Sequence, residues 1–515
     1  MCRTMTRAAR LTTGWVTICA IVAVVLRWTG LGRESLWFDE GMTWWLASLP
    51  PAEMLRTIRG DVAAPVYFLL LRGWETIFGD SAAAMRAMSA LAATLTLVPF
   101  GYITYRVLQS RLAIGAAWLL MAISFMQVQY AQEARYYALM ALLAMTALAC
   151  TVPLASRRSW GAIAGFVACV IVGLYTHNMM MFCLVGLNLA WLCWPGERSL
   201  RSRLIDLTIA NGIVVVLYLP WVPTLLQQMK WMTGTFWATR PNLFDLGVTT
   251  SAITGVDVYA PPGLAWRWFG TGVTAGQVGT AVGVIVLGLL LIALSTRDAA
   301  HRRCVLAVAA FAIAPVVLVF LYSQVRQPIF MERVFIASSA AMPILLAMAI
   351  DHDRVRSLRW TASAMLSALL LLGAVSTAAL SLESRKEDWR GAYATVAQLP
   401  PPPRRLIVFT ANEGELPFAY YAAHDSSRPP EPRTGTPAGF FDLDPPKTIR
   451  RVTSDADLAT LRAKMDSGNW DEIVLILSHE AFSDPDDRTE RELRARWRLI
   501  EETPLRLVRV LRFAR

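Results

Sequence analysis

Apolar windows of roughly 17–23 residues recur down this chain as far as residue 382, each about long enough to cross a ~30 Å hydrocarbon core as a helix. They fall near 11–27, 84–106, 112–129, 136–154, 160–175, 179–194, 204–221, 278–295, 304–322, 334–350 and 360–382. Of the 515 residues 55% are hydrophobic and only 17% charged, which excludes disorder and strains any soluble reading. The expectation is a polytopic α-helical membrane protein with about eleven transmembrane helices. Arg3, Arg7 and Arg10 ahead of Leu11–Leu26 have the layout of a secretory signal. With many spans following and no small-residue cleavage site, they predict an uncleaved first helix.

A net charge of +11 raises the question of nucleic acid. Residues 382–515 hold 21 Lys+Arg and 22 Asp+Glu, so the basic excess belongs to the membrane part. There it sits in short loops, an orientation signal rather than a groove for phosphate backbones, and no nucleic-acid partner is expected. The seven cysteines (2, 19, 150, 169, 183, 193 and 304) lie in the N-terminal tail or in apolar segments. They read as small hydrophobes rather than disulfides or metal clusters.

Alternating the connections puts Arg106/Arg111, Arg157/Arg158, Arg198/Arg201/Arg203, Arg297/Arg302/Arg303 and Arg354/Arg356/Arg359 on the side of the N-terminus. By the positive-inside rule that side is the cytoplasm. Residues 29–83, 223–277 and everything after 382 are then expected outside. In the first outer loop, Gly41–Leu49 and Ala52–Arg59 read as short amphipathic helices at the interface. Pro65–Phe78 reads as a juxtamembrane helix, too short to span. The loop 223–277 is rich in tryptophan (231, 237, 266, 268). It either covers a site or forms an aromatic belt.

The chain thus divides into a transmembrane domain, 1–382, and an extracytoplasmic domain, 383–515. In the latter, strands are expected at Arg404–Thr410, Thr448–Val452, Glu472–Leu477 and Leu505–Phe513. Helices are expected at Glu415–Ala423, Asp457–Met465 and Arg488–Arg498. Their alternation predicts a small α/β layer domain. It has no glycine-rich phosphate signature and is assigned no nucleotide.

Arg86, Arg135 and Arg333 lie at or near the outer ends of spans, where the topology gives arginine no reason to be. Ionisable groups at membrane depth pair with one another or face an internal cavity. Each is read either as an end-of-helix residue paired locally, as Arg135 with Glu133 and Arg333 with Glu332, or as an anion site, since a guanidinium fork matches phosphate oxygens. His177, in a short outer turn, reads as a hydrogen-bonded interface residue or a ligand. Asp39, in Ser35-Leu36-Trp37-Phe38-Asp39-Glu40-Gly41, precedes an apolar helix. It is either an N-cap or a base exposed at the membrane surface.

Arg27-Trp28-Thr29-Gly30-Leu31-Gly32 leading into Ser35–Glu40 resembles the opening of the family 39-type membrane glycosyltransferases. These have the GT-C fold and are relatives of protein O-mannosyltransferases and bacterial lipid A sugar transferases. The resemblance continues at Asp61 and Pro65–Leu71, at Phe78–Ser81 with Arg86, and at Gln132-Glu133-Ala134-Arg135-Tyr136-Tyr137. It returns at Tyr175-Thr176-His177, around Arg333, and at Lys386–Arg390, in the expected order over most of 20–395.

The resemblance implies an inverting transfer of a sugar from a polyprenyl-phosphate donor to a hydroxyl of a lipid, glycan or protein. The reaction would run at the outer face of the inner membrane, in cell-envelope glycosylation. It implies Asp39 as general base with Glu40 beside it as a supporting group or metal contact. Arg135, Arg333 and Arg86 would lie on the donor phosphate, and Tyr67, Glu133 and His177 at the substrate. One departure bears on a divalent metal. Many relatives carry His or Lys before Pro-Pro where this chain reads Ala63-Ala64-Pro65, which leaves the metal an open expectation. The competing reading is a non-catalytic binder or transporter of lipid-linked glycans, although no inverted repeat is visible.

Overall fold

The computed structural model describes residues 7–60, 63–232, 238–258, 274–296, 298–351, 356–400, 404–410, 414–425, 453–468, 470–480 and 484–515. All eleven expected spans are helical. Among the described residues seven helices are long and apolar enough to cross a membrane, or up to eight if one bent pair is a single span. Trp160–Leu174 and Met180–Cys193 are apolar but shorter. Ile336–Ala347 has every residue buried, so it is jacketed by protein rather than lipid. The loop 223–277 departs from expectation by carrying an apolar helix, Leu243–Ile253, started by an Asn242–Asp245 capping box. Trp237, Trp266 and Trp268, and the side chain of Trp231, lie outside the described residues.

The bent pair shapes the site. Arg111–Ala122 and Phe125–Gln132 meet at 46° around Ile123 and Ser124. A break inside a membrane frees carbonyls that lipid cannot satisfy. Here Arg27, fully buried, donates to Met121 O at 3.1 Å, and Thr377 Oγ1 donates to Ile123 O at 2.7 Å. Gln127 anchors the second half by donating to Ile336 O and Ser339 Oγ. The break swings Gln132–Arg135 beneath the first-loop helices.

That loop folds as the sequence predicts, into Phe38–Ser48, Pro51–Arg59 and Val66–Phe78. Pro51 stands at the first helical position, where its missing N–H costs nothing. Met54 and Ile58 form the buried stripe of the second helix.

The C-terminal domain is a four-stranded sheet in the order β1-β2-β4-β3, with β1 Arg405–Phe409, β2 Glu472–Ser478, β3 Arg498–Leu505 and β4 Val508–Ala514. β1 and β2 are parallel and the remaining pairs antiparallel. Helix Trp389–Gln398 covers one face through Trp389, Ala392 and Val396. Leu461, Met465 and Leu493 cover the other. β2, buried on both faces, is accordingly a continuous apolar run.

The expected helix Arg488–Arg498 ends at Arg494, and the expected last strand is the second arm of a hairpin. β3 is an edge strand with Glu501, Glu502 and Pro504, mostly exposed, and therefore lacked a strand's apolar signature. Thr448–Val452 lies outside the described residues. Helix Glu415–Ala423 does not stay with the sheet alone. Leu416 and Tyr420 join the core of the membrane part, and a Cβ on Gly41 would lie 2.7 Å from the backbone nitrogen of Pro417. Only glycine admits that approach.

Candidate active site

Trp37, in extended conformation, is the N-cap of helix Phe38–Ser48 and makes no side-chain cap. Asp39 and Glu40 therefore lie inside the first turn, where the helix dipole favours carboxylates. Neighbouring positions on a helix point about 100° apart, and the two acids separate into different environments.

Glu40 turns inward and is fully buried. Arg86 grips it with two parallel bonds, Nε to Oε1 at 2.7 Å and Nη2 to Oε2 at 2.6 Å. Lys386 Nζ donates to Oε2 at 3.1 Å and the Ala134 N–H to Oε1 at 2.9 Å. Burial alone would raise this carboxyl, but Arg86, Lys386 and those hydrogen bonds outweigh it and hold the pKa to about 2. Arg86 spends its remaining N–H groups on the carbonyls of Leu31, Glu34 and Ser35.

Of the roles expected for Glu40 it takes the supporting one and does not reach substrate. The expectation that Arg86 meets a donor phosphate is corrected, because Arg86 has no hydrogen left for one. Together Glu40 and Arg86 pin the loop that carries Asp39. Glu40 is equally unsuited to a metal, since its oxygens already accept four hydrogen bonds. Among the described residues no group of three or more His, Cys, Asp and Glu side chains could hold one.

Asp39 turns the other way. Arg333 Nη1 lies 3.3 Å from its Oδ2, and Arg135 Nη2 lies 3.9 Å from the same oxygen. Arg135 also donates to the Asp39 carbonyl at 3.1 Å, to Thr43 Oγ1 at 3.2 Å and to the Tyr136 hydroxyl at 2.9 Å. Its guanidinium stacks 4.5 Å over the Tyr136 ring. Both arginines thus meet Asp39, a partner that sequence proximity did not offer.

Tyr67 is buried, with its hydroxyl 3.0 Å from Ser89 Oγ, which in turn donates to the Arg135 carbonyl. It supports the site from beneath and does not face a substrate, contrary to expectation. The His177 ring stacks on Tyr136 at 4.5 Å, and its Nδ1 accepts the Met179 N–H at 3.0 Å. Burial, then the charges of Arg135 and Arg333, lower its pKa to about 3. It stays neutral and braces the tyrosine.

Two cavities flank the motif. One, of about 340 Å³, is lined by Trp37, Tyr130, Glu133, Phe330, Glu332 and Arg333, with Thr239 and Asp245 of the 223–277 loop closing it. The other, of about 300 Å³, runs between Trp37, Glu133, Arg385 and Lys386 on the membrane side and His479 and Leu507 of the C-terminal domain. Glu133 lines both, and burial raises its carboxyl above the usual range.

Lys386, Trp37 and Tyr421 did not stand out as site residues in the sequence. Lys386 was within reach, because it breaks the positive-inside expectation just as Arg135 does. Tyr421, whose hydroxyl accepts the Leu36 N–H at 2.8 Å and lies 3.2 Å from Ser35 Oγ, carried no signal.

No family model and no curated protein sequence matches the chain. Among solved structures, it superposes on ArnT from Cupriavidus metallidurans in the apo state with a TM-score of 0.57 at 14% identity, covering 97% of this chain and 98% of that one. The same enzyme bound to undecaprenyl phosphate gives a TM-score of 0.56 at 15% identity over the same shares. The chain has the GT-C fold. The GT-C fold is what the sequence resemblance implied, and the first-loop helices and small C-terminal α/β domain are what the residue pattern predicted. Arabinofuranosyltransferase AftD from Mycobacteria aligns less well, with a TM-score of 0.49 at 13% identity over 99% of this chain and 40% of that one.

Proposed function

We propose that the chain is an inverting glycosyltransferase that moves a sugar from a polyprenyl-phosphate donor to an acceptor hydroxyl at the outer face of the inner membrane. The observation that carries this reading is the meeting of Asp39 with Arg135 and Arg333, three residues from widely separated stretches, within 3.9 Å. In the reaction the acceptor oxygen forms a bond to the anomeric carbon as its proton passes to the Asp39 carboxylate. The bond from that carbon to the phosphate oxygen breaks on the opposite face, and its electron pair leaves with the lipid phosphate. Arg333 and Arg135 meet the phosphate charge, a preorganised electrostatic role.

Arg333 and Arg135 are within ion-pair distance of the Asp39 carboxylate, so base and phosphate-binding cations stand side by side. No step needs a metal. The outer-face assignment rests on the basic loops of the opposite side, and ArnT, of the same fold, has been captured with undecaprenyl phosphate.

Reconstitution in vesicles with a labelled polyprenyl-phosphate sugar tests the reading. Donor-dependent transfer of label to an envelope acceptor supports it. Tight undecaprenyl phosphate binding with no transfer to any acceptor class would instead support the non-catalytic binder.

A further inference from the structure

The cavity lined by Arg333 is where a phosphate can meet a guanidinium, yet the rest of its charged lining is acidic. Glu133, Glu332 and Asp245 line it, with Arg333 the one basic side chain among the described residues. Three carboxylates repel an anion unless each is engaged, exposed to solvent or uncharged. Asp245 is engaged, accepting the Asn242 N–H at 2.8 Å in the capping box that starts its helix. Glu332 is exposed, so solvent and salt screen it. Glu133 is neither. It is 4% exposed, and its Oε2 is buried with no hydrogen-bond partner among the described residues.

The surrounding charges are committed elsewhere. Lys386 and Arg333 both act on Glu133, but Lys386 Nζ donates to Glu40 at 3.1 Å and Arg333 Nη1 lies 3.3 Å from Asp39. Asp39 and Glu40, from the first-loop helix, add like charge, and Arg86 is held by Glu40. Across the second cavity, which Glu133 also lines, His479 pairs with Glu387 and Arg385 with Asp257. Tyr130, of the preceding turn, brings only a neutral hydroxyl. Each cation thus has another carboxylate, and none among the described residues pairs with Glu133. A buried carboxyl without a partner escapes the cost of desolvation by keeping its proton. Burial accordingly raises the Glu133 carboxyl above its ordinary 4.5.

The proton changes what Glu133 can do. A carboxylate only accepts hydrogen bonds, whereas the acid carries an O–H donor. The buried indole N–H of Trp37, which lines the same cavity, is another donor without a partner among the described residues. Buried polar groups are normally paired, so two of them beside Arg333 point to an occupant that accepts hydrogen bonds. A guanidinium, an indole N–H and a carboxyl O–H around one cavity form a donor set for phosphate oxygens.

We propose that Glu133 is a donor-binding residue that works as the neutral acid, its carboxyl O–H donating to a phosphate oxygen of the polyprenyl-phosphate donor at Arg333, with the Trp37 N–H as a second neutral donor. The proposal deepens the glycosyltransferase reading and rests on it. Donor capture is thereby coupled to a proton. Below the pKa of Glu133 the site is ready and affinity is full. Above it the donor binds only as Glu133 takes up a proton, so affinity falls by up to about tenfold per pH unit. A glutamate here ties donor affinity to the pH at the outer face, which a glutamine would not.

The probe is methyl undecaprenyl phosphate, a diester like the donor, which lacks the second ionisation that a phosphate monoester has at about pH 6. The radiolabelled diester is titrated onto the purified full chain in nanodiscs between about pH 5 and about pH 9. Wild type is expected to bind tightest at the acid end and to weaken by up to about tenfold per unit once Glu133 ionises. Glu133→Gln keeps an N–H donor and cannot ionise, so its affinity should start near the wild-type acid value and stay flat. Trp37→Phe should bind about tenfold more weakly at every pH with the wild-type slope intact, as the loss of one hydrogen bond to a charged group implies. A damaged fold produces neither pattern. Wild-type affinity in Trp37→Phe would overturn the Trp37 half of the donor set. The Glu133 assignment is overturned if wild-type affinity is flat across the range, or if Glu133→Gln keeps the wild-type slope, and in either case the donor reading still stands. Failure of the diester to bind at any pH overturns both.

Discussion

Arg333 Nη1 lies 3.3 Å from the Asp39 carboxylate although 294 residues separate the two along the chain. The contact joins the first-loop helix to the turn that opens the buried helix Ile336–Ala347. Its chemistry predicts different kinetic signatures for its members. Asp39→Asn keeps the shape and still accepts from arginine, but cannot take a proton. It should lower kcat by about 10²–10⁴-fold, with Tm and undecaprenyl phosphate affinity close to wild type. Near-wild-type turnover would remove Asp39 as the base.

Arg333→Ala removes a cation from the leaving phosphate. The expected result is a loss of about 10²–10³-fold in kcat/KM for the donor, larger than the loss in Arg333→Lys. Steady-state kinetics at varied donor concentration measure it. Unchanged donor kinetics would return Arg333 to a purely structural role.

The Glu40–Arg86 pair is a different kind of contact. Both side chains are essentially inaccessible, at 0% and 1% exposure, and breaking one partner of such a pair leaves an uncompensated buried charge. Glu40→Gln is expected to cost about 3–5 kcal/mol of stability, seen as a large fall in Tm in detergent. A Tm close to wild type would mean that the carbonyls of Leu31, Glu34 and Ser35 suffice to hold Arg86. Asp39→Asn, measured in parallel, separates loss of chemistry from loss of fold.

Much of this was legible in the sequence, and the reasons differ from residue to residue. The spans were readable because twenty apolar residues in a row have few alternatives. Arg135 and Arg333 were readable because they break the positive-inside rule. Arg86 breaks it equally and does something else. What separates the three is which carboxylate each meets, and that is set by tertiary packing, including a 46° bend at Ile123 and Ser124 ahead of Arg135, that no local pattern announces. Likewise the acids Asp39 and Glu40 are adjacent in sequence, and only the fold assigns one to Arg333 and the other to Arg86. β3 escaped notice because an edge strand with two glutamates and a proline has a turn's composition.

Tyr421 holds the motif from the C-terminal domain by accepting the Leu36 N–H at 2.8 Å. As a positioning residue it predicts that Tyr421→Phe lowers kcat about 5- to 30-fold with donor KM unchanged, in line with one lost hydrogen bond to a buried group. Rapid kinetics well below the variant's Tm isolate that effect. If turnover there matches wild type, the hydroxyl stabilises the domain contact and does nothing for Asp39.

His177 makes the fold acid-sensitive in a defined window. Its folded pKa of about 3 lies below the ordinary value of 6.5, because burial and the nearby Arg135 and Arg333 oppose a second proton. The unfolded chain binds that proton below pH 6.5 and the folded one refuses it until about pH 3. The stability is therefore fully present above pH 6.5 and is lost as pH falls toward 3, by up to about tenfold in the folding equilibrium per pH unit. Glu40, held to about 2 from 4.5, adds a second loss, but only below pH 4.5. Replacing His177 with Gln removes the titrating group and keeps an acceptor for the Met179 N–H. The loss of Tm as pH falls from 6.5 to 4.5 should then be smaller in His177→Gln than in wild type. A slope retained in the variant would assign the acid sensitivity to another group.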